Sequence, residues 1–377
     1  SIVGTADKFH SLLDHSIRFI QQYRNMKNHN ISIGFEETYF SAHFKNKNTE
    51  NYSLNTSFRT QSGYLYSFFI RNSWSLKNRW KFDTGIRYSY FENLDKLYFE
   101  PRISIIHKIK PSLSLELSYG EHNQFIHKIG KENNSNFSMN SRFLSSSKIP
   151  TILSKNLQSG IRWDKNDYNL STTLYSKSLS NFFKSEWSFS LEEYLSYNNK
   201  IINPGYAKIN GLEIQFRKKS GMITGWVSYH NSNTKYQIPD FNEGELFFAD
   251  YNKNHELKII ILGQIFNTNL SASWVFSSGR PFTSLENLYV ESGSGYEIFS
   301  KGEYNNEQVK SSHHLDISLV KNLEISKVGI ELGFSVYNLY DKKNIAHKRY
   351  NPFSKELSIK DISMFGITPS IFTKISF

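Results

Sequence analysis

The chain has 377 residues, a net charge of +11 and no cysteine. The missing thiols exclude disulfide frameworks, thiolate metal sites and cysteine nucleophiles. The basic residues are scattered, without the dense Lys/Arg block that marks a nucleic-acid footprint. Mean hydropathy is −0.52, the value of a water-soluble chain, yet Phe, Tyr and Trp together make up 16%. That pairing fits a strand-built membrane wall, in which alternate residues meet lipid and aromatic girdles mark both interfaces. It fits a tyrosine-rich soluble β-protein equally well. No apolar run reaches transmembrane-helix length; the longest, 257–266, is broken by Lys258 and Gln264. If the chain spans a membrane, it does so with strands, because only helices and closed barrels satisfy every backbone group in lipid.

In chain order, period-2 alternation predicts strands at 8–23, 31–44, 64–77, 79–91, 98–108, 112–121, 153–163, 167–180, 206–218, 222–233, 252–266, 270–277, 311–320, 326–340 and 364–377. In the fourth, Trp80, Phe82, Ile86, Tyr88 and Tyr90 share one face and Arg79, Lys81, Asp83 and Arg87 the other. In the sixth, Leu113, Leu115, Leu117 and Tyr119 oppose Ser112, Ser114, Glu116 and Ser118. Leu315, Ile317 and Leu319 oppose His314, Asp316 and Ser318. One residue breaks the pattern: Trp226 falls opposite Ile223, Val227 and Tyr229, which calls for a bulge or an interface position.

The links alternate in length. Short ones at 24–30, 76–78, 109–111, 164–166, 219–221, 267–269 and 321–325 separate mostly longer ones at 45–63, 92–97, 122–152, 181–205, 234–251, 278–310 and 341–363. Tight turns on one side and long loops on the other are the pattern of an outer-membrane barrel. The fold class expected is therefore all-β, a transmembrane antiparallel β-barrel. Fifteen strands is an odd count, whereas complete bacterial barrels are even. The expectation is that residues 1–377 form the C-terminal part of a ~22-stranded plugged barrel, with plug and first strands upstream.

Candidate binding residues follow from position. Asn123, Gln124 and His127 lie where a strand passes into a long outer loop, and loops on a rigid scaffold carry binding. Arg87, Glu213 and Arg217 are expected on the lumen face, where they meet a plug, a substrate or one another. His314, Asp316 and Ser318 have the residue types of a hydrolase triad. Strand neighbours two apart, however, stand ~6–7 Å from each other, so these residues read as polar lumen lining. No catalytic group, metal site, calcium loop or phosphate cradle is expected. Ile371, Ile375 and the terminal Phe377 share a face of the last strand, as lipid-facing residues and as a signal to barrel-assembly machinery.

A series of motifs carries a family resemblance. It begins with Phe99-Glu100-Pro101-Arg102, Leu117-Ser118-Tyr119-Gly120 and Gln124-Phe125-Ile126-His127. Asn210-Gly211-Leu212-Glu213-Ile214 and the 221–229 segment ending Trp226-Val227-Ser228-Tyr229 come next, then Tyr251 and His255. Ser278-Gly279-Arg280-Pro281-Phe282-Thr283, His314-Leu315-Asp316-Ile317-Ser318, and Phe334-Ser335-Val336-Tyr337-Asn338-Leu339-Tyr340 with Asn344 complete it. From about Phe99 onward the chain resembles TonB-dependent receptors, especially the branch with a carboxypeptidase-regulatory-like N-terminal domain. It departs from them at 251–255, which lacks an acidic–Arg pair, and at His313, just ahead of a His-Leu-Asp (314–316) that usually has Arg in the middle.

The resemblance implies an outer-membrane protein of a Gram-negative bacterium, not an enzyme and without cofactor. Such a protein imports a scarce nutrient: a metal chelate, vitamin, peptide or glycan. Implied partners are membrane lipids and lipopolysaccharide, a periplasmic TonB coupling protein acting through a plug, barrel-assembly machinery, and a surface lipoprotein. The alternative is a passive porin or a structural member of an outer-membrane complex.

Overall fold

The computed structural model describes residues 6–26, 28–50, 53–130, 140–182, 204–239, 241–290, 297–325, 328–350 and 359–376. The chain opens with hairpin-linked strands β1 (Ala6–Met26), β2 (His29–Glu50), β3 (Ser53–Leu76), β4 (Trp80–Phe91), β5 (Lys96–Lys110) and β6 (Leu113–Gln124). β7 (Ile126–Gly130) and β8 (Asn140–Leu144) form a separate hairpin before β9 (Ile152–Lys165), β10 (Tyr168–Phe182), β11 (Gly205–Lys218) and β12 (Ile223–Gln237). A short β13 (Leu246–Phe248) returns along β12 ahead of β14 (His255–Ile265) and β15 (Thr268–Ser277). The next link holds β16 (Pro281–Phe282), β17 (Leu285–Val290), β18 (Glu297–Lys301) and β19 (Glu307–Gln308). Then come β20 (Ser312–Ile325), β21 (Val328–Tyr337), the hairpin β22 (Ile345–Tyr350) and β23 (Ile359–Ser363), and β24 (Thr368–Ser376).

The sheet is antiparallel and follows chain order: β1 to β6, β9 to β12, β14, β15, β20, β21, β24, with β13 off the path against β12. These fifteen path strands are the fifteen read from the alternation. Among the described residues β1 pairs only with β2, and β24 only with β21. Among the described residues no helix is long and apolar enough to cross a membrane.

The two faces differ sharply. Phe19, Phe35, Phe68, Tyr88 and Phe99 stand in one cross-strand row over β1 to β5, and each is more than 40% exposed. The adjacent row on the other face is Arg18, Glu36, Ser67 and Ser89. Oily side chains thus turn outward and polar ones inward, the reverse of a soluble core and the arrangement lipid demands. Aromatic belts bound the oily band. At one end Trp74 stacks on His29 at 5.3 Å and on Phe82 at 5.2 Å, and Trp80 lies 3.8 Å from His107. At the other end Tyr39, Tyr64, Tyr66 and Tyr90 stand 5.0 to 6.4 Å apart in succession. From Trp80 to Tyr90 is ~33 Å along the strand, or ~25 Å at a ~40° tilt, the height of an outer-membrane apolar band.

The tight turns lie at the Trp/His end. In the Leu76–Arg79 turn both central residues have positive φ, Lys77 at 49° and Asn78 at 54°, as a two-residue type I′ hairpin requires. On the lumen face, Phe69 lies over its cross-strand partner Gly34, and Phe372 over Gly333. A Cβ at either glycine would displace the ring.

Two expectations need correction. The link 45–63 is not a loop: β2 and β3 run on in unbroken register to Glu50 and Ser53. The stretch is rich in Asn, Ser and Thr and lacks a regular apolar/polar alternation that would reveal it. No bulge turns Trp226, because β12 runs in continuous register against β11 and β14; Trp226 is on the lumen face, in register with Arg217 and Ile260. The long links at 122–152, 278–310 and 341–363 carry small hairpins of their own. Most of link 181–205 lies outside the described residues.

Candidate functional site: lumen wall and outer mouth

A chain of charges crosses the lumen face of β1 to β5. Arg18 Nη2 meets Glu36 Oε1 at 2.6 Å, and Arg87 Nη2 meets Glu36 Oε2 at 3.0 Å. Arg87 also donates to Ser67 Oγ at 2.9 Å and to Ser89 Oγ at 3.3 Å. Glu100 Oε2 stands 3.8 Å from both Arg87 and Arg102. Register builds this order, because Arg18 and Glu36, and Arg87 and Glu100, are direct cross-strand partners. The β5–β6 ladder ends at Arg102 and Gly120, next to Pro101, which has no N–H to give. The Glu100 carboxylate takes over there, accepting the Asn123 backbone N–H at 2.5 Å and its amide at 3.3 Å. Two predicted site residues, Arg87 and Asn123, thus share Glu100. Arg18, Glu36, Glu100 and Arg102 were missed, although their alternation against the oily row was a usable signal.

Below this network the lumen wall holds a hollow of about 800 Å³. Small residues such as Ser32, Gly85, Ser104, Ser118 and Gly120 line it, together with Arg18, Arg71, Arg87, Arg102, His122 and Asp83.

Toward the outer mouth, β7–β8 folds back against β1, β2 and β3. Phe125 and Leu144 join Phe40, Ala42, Leu65 and Phe91 in a buried cluster, and the Leu144 N–H donates to Gln61 Oε1 at 3.0 Å. His127 is 2% exposed, with Nε2 2.7 Å from Ser145 Oγ. Burial lowers its pKa to about 4, so it is neutral at pH 7. It is a packed member of the hairpin rather than a surface group. Gln124 is exposed and donates to the Ile126 carbonyl at 2.6 Å.

On the far arc, Glu213 and Arg217 stand on the lumen face of β11, away from Arg87. His230 Nε2 lies 3.8 Å from Glu213 and 2.6 Å from Tyr175 Oη. Nearer the end of the chain, His314 Nε2 and Asp316 Oδ2 lean together to 3.4 Å, closer than strand spacing alone allows. Asp316 Oδ1 accepts the Asn338 N–H, which makes this carboxylate a structural anchor. Ile371 and Ile375 are 81% and 53% exposed on the lipid face; Phe377 lies outside the described residues. Among the described residues no cluster of three or more His, Cys, Asp or Glu is placed to hold a metal.

The outer loops are tied to one another. Asn242 donates to the Tyr304 carbonyl at 3.2 Å and accepts its N–H at 2.7 Å. Arg280 donates to the Ala346 carbonyl at 2.5 Å, and Lys348 stacks over Phe282 at 4.9 Å. The loops after β12, β15 and β21 thereby form one linked canopy.

Oil outside, polar groups within, aromatic belts and loop-bearing outer links define the wall of an outer-membrane-type β-barrel. The sequence profile for "TonB dependent receptor-like, beta-barrel" matches residues 4–339, and the chain belongs to that family, whose members are outer-membrane transport receptors of Gram-negative bacteria. Solved structures agree in fold. The ferric citrate transporter FecA superposes with TM-score 0.68 at 12% identity, over 99% of this chain and 55% of its own. The ferric yersiniabactin uptake receptor FyuA of Yersinia pestis gives 0.67 at 11%, over 99% and 55%. The outer membrane transporter YddB of Escherichia coli gives 0.66 at 12%, over 98% and 54%. The chain thus spans about 55% of the length of the first of these. No functionally curated protein matches it in sequence.

Proposed function

We propose that this chain is the greater part of the wall of an energised importer in a Gram-negative outer membrane. The substrate class is a scarce nutrient: a metal chelate, vitamin, peptide or glycan. The carrying observation is the inward fold of β7–β8, whose apolar seal against Phe40, Leu65 and Phe91 blocks that side of the mouth. A passive porin keeps an aqueous channel open. Among the described residues β1 and β24 are each paired on one side only, and the matched structures are nearly twice as long. Further wall strands and a plug encoded upstream would fill both needs, and the plug would meet a TonB-type coupling protein. Asn123, Gln124 and the lumen residues Arg87, Glu213 and Arg217 would face the plug or the solute, while His127 holds the hairpin. Ile371, Ile375 and Phe377 would present the assembly signal, and the basic loop tips would meet lipopolysaccharide. A surface lipoprotein would sit on the loop canopy.

The test is nutrient uptake by cells carrying the intact gene, with and without the coupling protein. Uptake should require the coupling protein and collapse with a proton uncoupler. Uptake that is indifferent to both identifies a passive pore instead.

A further inference from the structure

We infer that the hollow in the lumen wall binds a multiply charged oxyanion, a carboxylate- or phosphate-bearing solute in transit; this rests on the import reading above and narrows its substrate. The lining carries four guanidinium groups, Arg18, Arg71, Arg87 and Arg102, against one carboxylate, Asp83. Nearby acids do not cancel them evenly. Glu36 and Glu100 are 10% and 5% exposed and are shared: Glu36 pairs with Arg18 at 2.6 Å and with Arg87 at 3.0 Å, and Glu100 stands 3.8 Å from both Arg87 and Arg102, while two serine hydroxyls also hold Arg87. Asp83 is shared between Lys81 at 3.0 Å and Arg71 at 3.3 Å. Arg18, Arg71 and Arg102 keep 53%, 65% and 48% of their side-chain surface open. A guanidinium carries five donors in a planar fork, so most of theirs remain available.

The floor supplies the room. Arg71, Gly85, Arg102 and Gly120 stand in one cross-strand row, so each side of Arg102 is bare backbone. Ser104 and Ser118, partners in the next row, add hydroxyls to the same floor. A planar oxyanion fits such a fork with two parallel hydrogen bonds, which a Lys site does not offer. The rim sits on paired wall strands, so its geometry is fixed before a ligand arrives. His122 also lines the hollow, where its ring nitrogens add a polar group to the wall.

The experiment titrates the intact protein, in detergent micelles at low salt, with tricarballylate, pyrophosphate and spermidine. Tricarballylate or pyrophosphate should bind and weaken as salt rises, and which of the two binds tells carboxylate from phosphate chemistry. Spermidine should not bind. The double variant Arg71→Gln/Arg102→Gln should lose about tenfold in affinity, while Arg162→Gln, on another part of the lumen face, should not. Heat-modifiable gel migration confirms that each variant is folded. An affinity left unchanged in the double variant overturns the inference. So does the absence of anion binding to the wild type, the result expected if an acidic stretch of the same polypeptide already fills the hollow. Coupling-independent uptake would sink the importer reading and leave a positive titration standing; coupled uptake without anion binding would sink only this inference.

Discussion

Asp316 and Asn338 fasten the outer end of the β20–β21 hairpin: the Asp316 carboxylate accepts the Asn338 backbone N–H at 2.9 Å. Asn338 is fully buried and left-handed at φ 51°, a conformation Asn tolerates better than most residues. Its amide donates to the Lys342 and Phe365 carbonyls and its oxygen accepts the Lys342 N–H. Asn344 brackets His313 in the same way, accepting its N–H and donating to its carbonyl. Asn338→Ala strips three bonds and puts Ala in a left-handed position, at a cost of about 3 kcal/mol. The urea midpoint of the heat-modifiable band should fall, and trypsin should cut sooner at Lys342 and Lys343.

Arg87 neutralises two carboxylates that are nearly out of solvent. Arg87→Met leaves both without it and should cost about 3 kcal/mol, because removing one partner of a buried ion cluster strands the others. Adding Glu36→Gln should recover part of that loss, since coupled residues are not additive. Urea unfolding of the single and double variants gives the comparison. A double variant that is simply the sum of its parts would show that the network is not coupled.

His127 ties the inward hairpin to pH. Its folded pKa of about 4 lies below the ordinary histidine value of about 6.5, so between those values the opened hairpin binds a proton that the closed one refuses. Stability of the closed form is therefore complete above pH 6.5 and falls as pH drops through that window, by about 3 kcal/mol at its lower end. Hydrogen exchange of residues 126–130 should quicken between pH 7 and 5 beyond its intrinsic rate change. His127→Gln should flatten that response.

Leu117 and Ser118 are neighbours with opposite duties. Leu117 is 49% exposed toward lipid, and Ser118 lines the hollow. Leu117→Arg should cost about 2–4 kcal/mol near the bilayer midplane, whereas Ser118→Arg should cost far less. Folding yields into phosphatidylcholine vesicles separate them, and equal losses would contradict the assignment of faces.

The sequence by itself determined the wall. Alternation such as Leu113 to Tyr119 against Ser112 to Ser118 shows which face meets lipid, because strand side chains alternate and only one environment tolerates oil. The short Lys77–Asn78 turn and the long link after β6 showed which end bears the loops. What the tertiary structure decided lies between strands and above the membrane. Arg18, Glu36, Arg87, Glu100 and Arg102 are far apart in sequence, and only register lays them side by side. His127 looked like a rim ligand because its strand exits the wall there, but the loop folds inward and buries it. The continued pairing of β2 with β3 over 45–63 was illegible because that stretch is mostly polar in sequence, and without a contrast between oil and water there is no period to read; the loop canopy rests on contacts between distant segments such as Asn242 and Tyr304.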